Sequence, residues 1–143
     1  MLRVGSVCVA VFLSLSPPAG ASNSIIGTWQ GPMTFNGMQC QIGLVLRANG
    51  SYASTQRCTN RGLAMPEARQ VGTYRMLAAD TVGFEVDDWS PKIQILPGPN
   101  GVNTAFPIRK PPGGTFRYRF TSANTTVWRD VNAGVSITYQ RIK

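Results

Sequence analysis

The chain has 143 residues, with 14 Lys and Arg against 6 Asp and Glu, and a net charge of +8 at pH 7. It contains no histidine, which excludes Ser-His and Cys-His catalytic pairs and zinc sites built on imidazole. The basic residues are scattered, the longest run being Arg109-Lys110. Because no recognition helix is predicted either, we expect no nucleic-acid partner. Scattered charge of this kind most commonly forms a solvated surface, and the alternative is attraction to anionic envelope components such as polymers or lipid head groups.

Residues 1–21 have the pattern of a secretory signal peptide. Arg3 gives a short basic start, an apolar run follows, and small residues precede a cleavage site after Ala21. The apolar run is too short to span a bilayer as a stable anchor. We therefore expect cleavage between Ala21 and Ser22 and a secreted or periplasmic protein that does not span a membrane. Its residues 22–143 have the length of one domain, expected to be a monomer.

The clearest element is a β-hairpin around Asn49-Gly50. Apolar residues alternate with others before this turn, as in a half-buried strand; they are Ile42, Leu44 and Leu46. The turn is either a two-residue type I′ loop or a three-residue loop with Gly50 in the left-handed conformation. The second choice pairs Arg47 with Ser51.

That second register predicts a disulfide between Cys40 and Cys58. Stepping outward from the Arg47–Ser51 pair places the two cysteines opposite each other. Their position is a non-hydrogen-bonded pair, where side chains come closest. Both cysteines lie on the core side of the hairpin. Two buried free thiols are the alternative, but cysteines of an exported chain usually pair.

Further strands are predicted on both sides of the hairpin from their period-two alternation. They cover residues 25–35, 69–77, 81–89, 115–121, 125–130 and 136–142, and residues 63–69 are predicted to hold one helical turn. Tight turns between about eight strands predict an all-β fold, either a closed meander or a sandwich. We expect a single antiparallel up-and-down β-barrel, because closure removes vulnerable strand edges.

Residues 90–114 differ from the rest of the chain, since they contain 6 prolines and 4 glycines. Proline cannot donate to a strand ladder. We therefore expect a long loop with one short strand at 92–96 and a second near 106–109. Loops this long are uncommon in compact domains and are often functional, although a disordered insertion has the same composition.

The two ends of the chain resemble a known family. Gly27-Thr28-Trp29 on the first strand, the meander of strands and Arg141 on the last strand resemble the lipocalin-like (calycin) barrels. The resemblance implies that Trp29 packs under Arg141 and closes one end of the barrel. A guanidinium on an indole face is favourable by about 0.5–2 kcal/mol. The resemblance also implies a calyx that holds a small ligand.

A narrower resemblance is to the bacterial periplasmic inhibitors of metalloproteases. It is carried by Trp29, by the stretch from Cys40 to Leu44 and by Cys58. Those inhibitors are also small eight-stranded barrels with one disulfide, and they insert an N-terminal segment into the protease cleft. The resemblance implies a role for the N-terminus in binding a protein.

The candidate ligand-binding residues are aromatic. They are Tyr52, Tyr74, Phe84, Trp89, Phe116, Tyr118 and Phe120. Most lie in phase with apolar neighbours, so their ordinary role is to fill the barrel. The functional interpretation is a partly open cup in which tyrosine hydroxyls anchor a small apolar or amphipathic ligand. Trp89 is out of phase with Phe84 and borders the 90–114 loop, where it would form a rim, a lid or a surface for a protein.

Acidic residues give little support for catalysis. Glu85 and Asp87 share one strand face about 7 Å apart, a spacing that fits a glycosidase pair, but two acids on a solvent-facing strand are far commoner. We therefore expect no enzyme, no metal and no cofactor. The first hypothesis is a non-enzymatic exported binding protein, lipocalin-like, that holds a small ligand in or at the mouth of the barrel. The alternative is a protein-interaction module, such as a protease inhibitor or envelope-associated factor, acting through the 90–114 loop or the N-terminus.

Overall fold

The structure is a computed structural model that describes residues 23–142. The predicted signal peptide and its cleavage point between Ala21 and Ser22 lie outside these residues. Within them the strands are β1 (Gly27–Phe35), β2 (Met38–Leu46), β3 (Ser51–Asn60), β4 (Leu63–Ala64), β5 (Ala68–Ala78), β6 (Thr81–Ser90), β7 (Ile93–Pro97), β8 (Asn103–Pro107), β9 (Thr115–Ser122), β10 (Thr125–Asp130) and β11 (Ser136–Ile142). A single 3₁₀ turn spans Pro99–Gly101.

Eight of these strands form a closed antiparallel barrel. Each of the strands β1, β2, β3, β5, β6, β9, β10 and β11 pairs with the next one in that order, and β11 pairs with β1. The predicted all-β, up-and-down barrel of eight strands is confirmed. The additional strand β4 pairs with β3, while β7 and β8 form a separate two-stranded sheet. No helix in the described part of the chain is long and apolar enough to cross a membrane.

The β2–β3 hairpin has the predicted three-residue turn. The Arg47 amide donates to the Ser51 carbonyl at 3.0 Å, and Gly50 has a φ of +82°. In the same register Cys40 lies opposite Cys58, with their Cα atoms 4.0 Å apart and a disulfide between them. Both cysteines are buried. The predicted disulfide on the core side of the hairpin is therefore confirmed.

The predicted helical turn at residues 63–69 is wrong. Arg61 and Gly62 both have positive φ, of +49° and +80°. Positive φ at both central residues is the geometry of a two-residue type I′ turn. The chain therefore folds back on β3 as the short strand β4, and Leu63 pairs with Asn60. The Arg61-Gly62 turn overrides any helical tendency of the residues that follow it.

The segment 90–114 is more ordered than a loop. Strands β7 and β8 pair from Ile93–Pro107 at the base to Pro97–Asn103 near the tip. The first strand lies close to the prediction for 92–96, and the second begins three residues earlier than the predicted 106. All residues of both strands are exposed.

One end of the barrel is closed by Trp29 and Arg141. The indole of Trp29 is fully buried, and the Arg141 guanidinium lies 4.2 Å from the centre of its ring. The same guanidinium donates to the carbonyls of Ile26 at 2.8 Å and Ser24 at 2.7 Å. The Trp29 Nε1 donates to the Ile25 carbonyl at 2.7 Å. These contacts hold residues 24–26 across the barrel end.

We call this the closed end; its strands are joined by turns at residues 47–50, 79–80 and 123–124. Because neighbouring strands are antiparallel, the remaining connections lie at the opposite end, which we call the open end. They are the segments 36–37, 61–67, 91–114 and 131–135. The segment that contains the β7–β8 hairpin therefore leaves the barrel at the open end.

Candidate functional site: a cavity at the open end of the barrel

A cavity of about 310 Å³ extends into the barrel from the open end. Its walls are mostly apolar and aromatic: Met33, Ile42, Leu44, Tyr52, Phe84, Val86, Phe116, Trp128, Ile137 and Tyr139. Polar side chains are few, and Pro112, Gly113 and Gly114 form part of the rim. The volume lies at the lower end of the range for small-molecule sites, and a mainly apolar lining with a few polar groups is typical of them.

Three of the predicted aromatic residues line this cavity, namely Tyr52, Phe84 and Phe116. The Phe84 ring meets Tyr52 edge-on at 4.8 Å and Phe116 edge-on at 5.7 Å, measured between ring centres. Edge-to-face contacts of this kind stabilise aromatic clusters. Phe84 therefore lies at the centre of a cluster that forms one wall of the cavity.

The other four predicted residues have different places. The hydroxyls of Tyr74 and Tyr118 donate to the carbonyls of Arg47 and Ala79, which belong to turns of the closed end. Phe120 packs edge-on against the buried Trp29, with ring centres 6.0 Å apart. Trp89 donates from Nε1 to the Ile108 carbonyl at 3.2 Å, and the Lys92 ammonium lies over its ring. Trp89 therefore fastens the base of the β7–β8 hairpin.

Trp128 and Tyr139 are aromatic cavity residues that the sequence analysis did not identify as site residues. Trp128 is the more deeply buried of the two. It is 2 % exposed and stacks on Tyr118 with ring centres 5.3 Å apart. Its Nε1 has no hydrogen-bond partner in the part of the chain that the structure describes. A buried donor without an acceptor costs roughly 1–3 kcal/mol.

The remaining polar groups of the cavity are neutral or engaged elsewhere. Gln56 donates from Nε2 to the Cys58 Sγ at 3.2 Å, and Asp130 accepts from the amides of Asn132 and Ala133, at 2.8 Å each. Ser54 and Gln70 complete the set. The lining includes no Lys and no Arg, so a charged carboxylate ligand would find no cation in the cavity.

Burial affects the tyrosines on the cavity wall. It raises the pKa of Tyr139 well above its ordinary value near 10. Burial raises the pKa of Tyr52 as well, with a further contribution from the negative charge of Asp87. Both hydroxyls are therefore neutral at physiological pH, and each can donate or accept a hydrogen bond.

The proline- and glycine-rich segment completes the cavity wall. Strand β9 pairs with β6 only where Thr115–Arg117 lies against Thr81–Gly83. Beyond that point the segment itself runs along β6, and the Phe84 amide donates to the Gly114 carbonyl at 2.8 Å. A Cβ added at Gly113 would lie only 2.1 Å from the Phe84 carbonyl oxygen. Glycine at 113 therefore permits the close approach that forms the rim.

The carboxylates that the sequence offered for catalysis lie outside the cavity lining. Glu85 and Asp87 belong to β6, and neither is among the side chains that line the cavity. Within residues 23–142 no group of three His, Cys, Asp or Glu side chains is placed to hold a metal ion. The arrangement offers a mostly apolar space with a few polar groups, one of them the carboxylate of Asp130, which suits the binding of a small molecule. No protein-family model matches the chain, and no curated protein matches it in sequence.

Proposed function

We propose that the protein is an exported, lipocalin-like binding protein that holds a small amphipathic molecule in the open-end cavity. The observation that supports this most strongly is the mostly apolar cavity of about 310 Å³, whose lining includes Trp128, a residue with a buried and unpartnered Nε1. Side chains leave the cavity unfilled, so there is room for a ligand. The indole Nε1 has no partner within the described residues, so it remains a free hydrogen-bond donor. The closed end gives the barrel a floor, and the rim at Pro112 and Gly113 is exposed.

The lining chemistry favours a neutral ligand with an oxygen acceptor. A small shift of the Trp128 ring brings its buried Nε1 to the cavity surface. A carbonyl, ester or hydroxyl oxygen of the ligand then accepts from it, while a short hydrocarbon chain contacts the aromatic and aliphatic walls. A carboxylate is disfavoured because burying an unpaired charge is costly, and the lining contains no cation. The ligand class is therefore a small uncharged ester, ketone or alcohol with an apolar chain.

The N-terminus gives less support to the inhibitor-like alternative. Ile25 is buried, and the carbonyls of Ser24 and Ile26 accept hydrogen bonds from Arg141. Inserting this segment into a protease cleft would break both bonds and expose Ile25. The exposed β7–β8 hairpin is the feature that remains for an interaction role.

Displacement of the neutral fluorescent probe N-phenylnaphthylamine tests the proposal. We expect the probe to bind and methyl octanoate to displace it, whereas octanoate, which carries a charge, displaces it much more weakly. Trp128→Phe keeps an aromatic ring but removes the donor, so it lowers the affinity for methyl octanoate about fivefold, the value of one net hydrogen bond.

Two controls separate the hydrogen bond from packing. Tyr118→Phe also removes one polar atom from an aromatic side chain, but that atom bonds to the Ala79 carbonyl, so methyl octanoate affinity stays unchanged. Nonane has no acceptor, so Trp128→Phe leaves its displacement curve in place. Absence of probe binding to the folded wild-type protein, or equal affinity of wild type and Trp128→Phe for the ester, contradicts the proposal.

A further inference from the structure

The β7–β8 hairpin exposes apolar side chains on both of its faces. Ile93 and Ile95 lie on one face and Leu96 and Phe106 on the other, by the alternation of the paired strands. All four are large and exposed, and Ile95 is 64 % exposed. A surface strand pair that contacts its own domain hides one apolar face. Neither face of this hairpin is hidden.

Charge is absent from the hairpin and concentrated at its base. No Lys, Arg, Asp or Glu occurs from Ile93 to Ile108, whereas Lys92 precedes this stretch and Arg109-Lys110 follows it. Within the described residues Lys92 forms an ion pair with Asp88, and no carboxylate pairs with Arg109 or Lys110. The apolar hairpin is therefore flanked by exposed positive charge.

Other connections at the open end repeat this pattern. Their exposed large apolar residues are Phe35, Leu63, Met65, Val131 and Val135. Arg61, at the tip of the β3–β4 turn, is exposed. The closed-end turns carry small or polar residues at their tips, for example Asn49-Gly50, Asp80 and Asn124. Exposed apolar residues at that end lie beside the turns, at Ile26, Met76, Leu77 and Ile142. The fully exposed β7–β8 hairpin and its flanking cations thus distinguish the open end from the closed end.

We propose that the open end docks on an anionic lipid bilayer, with the β7–β8 hairpin inserted into the interfacial region. A bilayer surrounds an inserted hairpin and covers both apolar faces, whereas a protein surface covers one. Strands of five residues extend about 17 Å, enough for a tip to pass the head groups and reach the interfacial depth of about 5–10 Å. Arg109 and Lys110 then lie at the level of the lipid phosphates.

The docking does not depend on a ligand in the cavity. It places the rim at Pro112 and Gly113 close to the membrane, because these residues follow Arg109 and Lys110 directly. Vesicle binding by the empty protein therefore tests the docking alone, and probe displacement in the absence of vesicles tests the cavity alone.

Co-sedimentation of the mature protein with vesicles tests the docking. We expect binding to phosphatidylcholine vesicles that contain phosphatidylglycerol and much weaker binding to phosphatidylcholine alone. The double variant Arg109→Gln, Lys110→Gln lowers the affinity for the anionic vesicles about 30-fold, since each basic residue near such a surface contributes about 5.5-fold in affinity. Val102 is exposed at the tip of the hairpin, next to the first residue of β8. The double variant Ile95→Ser, Val102→Ser lowers the vesicle affinity at least tenfold through lost apolar burial.

The matched control is Arg75→Gln with Arg117→Gln, which removes the same charge from exposed positions on the barrel wall. Its vesicle affinity falls less than threefold. Equal losses of vesicle affinity in this control and in the Arg109, Lys110 variant overturn the proposal. Failure of the wild-type protein to bind anionic vesicles overturns it as well. A concentration-dependent dimer that Ile95→Ser, Val102→Ser abolishes, without any vesicle binding, overturns it in favour of a second copy of the chain.

Discussion

Trp29 and Arg141 face each other in the pairing of β1 with β11, and the Arg141 guanidinium lies 4.2 Å from the indole ring centre. This pair joins the first and last strands of the barrel, which are the most distant in sequence. The same guanidinium donates to two backbone carbonyls before β1. Arg141 therefore fastens the N-terminal residues and the closing strand pair together.

Arg141→Ala removes the cation–π contact and both hydrogen bonds. We expect a loss of about 2–3 kcal/mol in the free energy of unfolding, from a contact worth about 0.5–2 kcal/mol and hydrogen bonds of a charged donor. Urea unfolding followed by tryptophan fluorescence measures it. Arg119→Ala, an exposed residue on β9, is the matched control and changes stability by less than about 0.5 kcal/mol. An equally small loss for Arg141→Ala would show that the pair is incidental.

Replacing both cysteines by alanine tests the disulfide. Cys40 and Cys58 are 18 residues apart in sequence, and a bond closing a loop of this size contributes about 3 kcal/mol in the chain-entropy model. The double variant is expected to unfold at lower urea concentration by that amount. Reduction of the wild-type protein should give the same shift, and no further shift should occur when the variant is treated with reductant. A wild-type unfolding curve that does not shift on reduction would contradict the disulfide.

Tyr139 makes stability fall at alkaline pH. Its pKa is raised by burial above the ordinary value near 10, so above that value the unfolded chain loses the hydroxyl proton and the folded protein keeps it. The stabilisation is complete below the unfolded pKa and declines as pH rises, by about 1.4 kcal/mol per pH unit. Tyr139→Phe should reduce the slope of the unfolding free energy against pH by that amount between pH about 10 and pH about 11.5. Below pH about 9 the two curves should run parallel; identical slopes above pH about 10 would rule out the effect.

Gly113→Ala tests the contact between the proline- and glycine-rich segment and β6. The added methyl would lie 2.1 Å from the Phe84 carbonyl oxygen, and backbone on both sides prevents relief by a side-chain rotation. We expect a loss of stability of about 1–3 kcal/mol, as for overpacking, together with weaker binding of N-phenylnaphthylamine. Gly43→Ala is the control, since its methyl meets only the movable Thr55 side chain. Equal affinity of both variants for N-phenylnaphthylamine would show that the proline- and glycine-rich segment does not contribute to the cavity wall.

Alternation along the strands was sufficient to predict the barrel and the β2–β3 register. Leu44 and Leu46 are buried as their phase requires, and the Gly50 turn fixes the partner of each cysteine. The period of two identifies the face of a strand but not the depth of a residue along the barrel. Tyr74 and Tyr118 therefore looked equivalent to Tyr52 in sequence, although their hydroxyls reach closed-end turns.

Trp128 shows a second limit of sequence reasoning. Val127 and Trp128 lie on opposite faces of a short strand, and nothing in its six residues identifies the inner face. In the structure, Trp128 lies opposite Tyr118 in the pairing of β10 with β9, and this register places it on the inner face. The missed residue is thus one whose orientation depends on barrel closure.

The hairpin β7–β8 was missed as a unit because its prolines argue against strands, yet they lie at strand ends.

The central claim is that the open-end cavity holds a small neutral amphiphile. Native mass spectrometry of the mature protein purified from its own source tests it most directly, since no ligand has to be chosen beforehand. We predict a non-covalent adduct of a few hundred daltons that is retained by Tyr118→Phe and reduced in occupancy by Trp128→Phe. A bare mass for the wild-type protein, together with no displaceable N-phenylnaphthylamine binding, would contradict the claim.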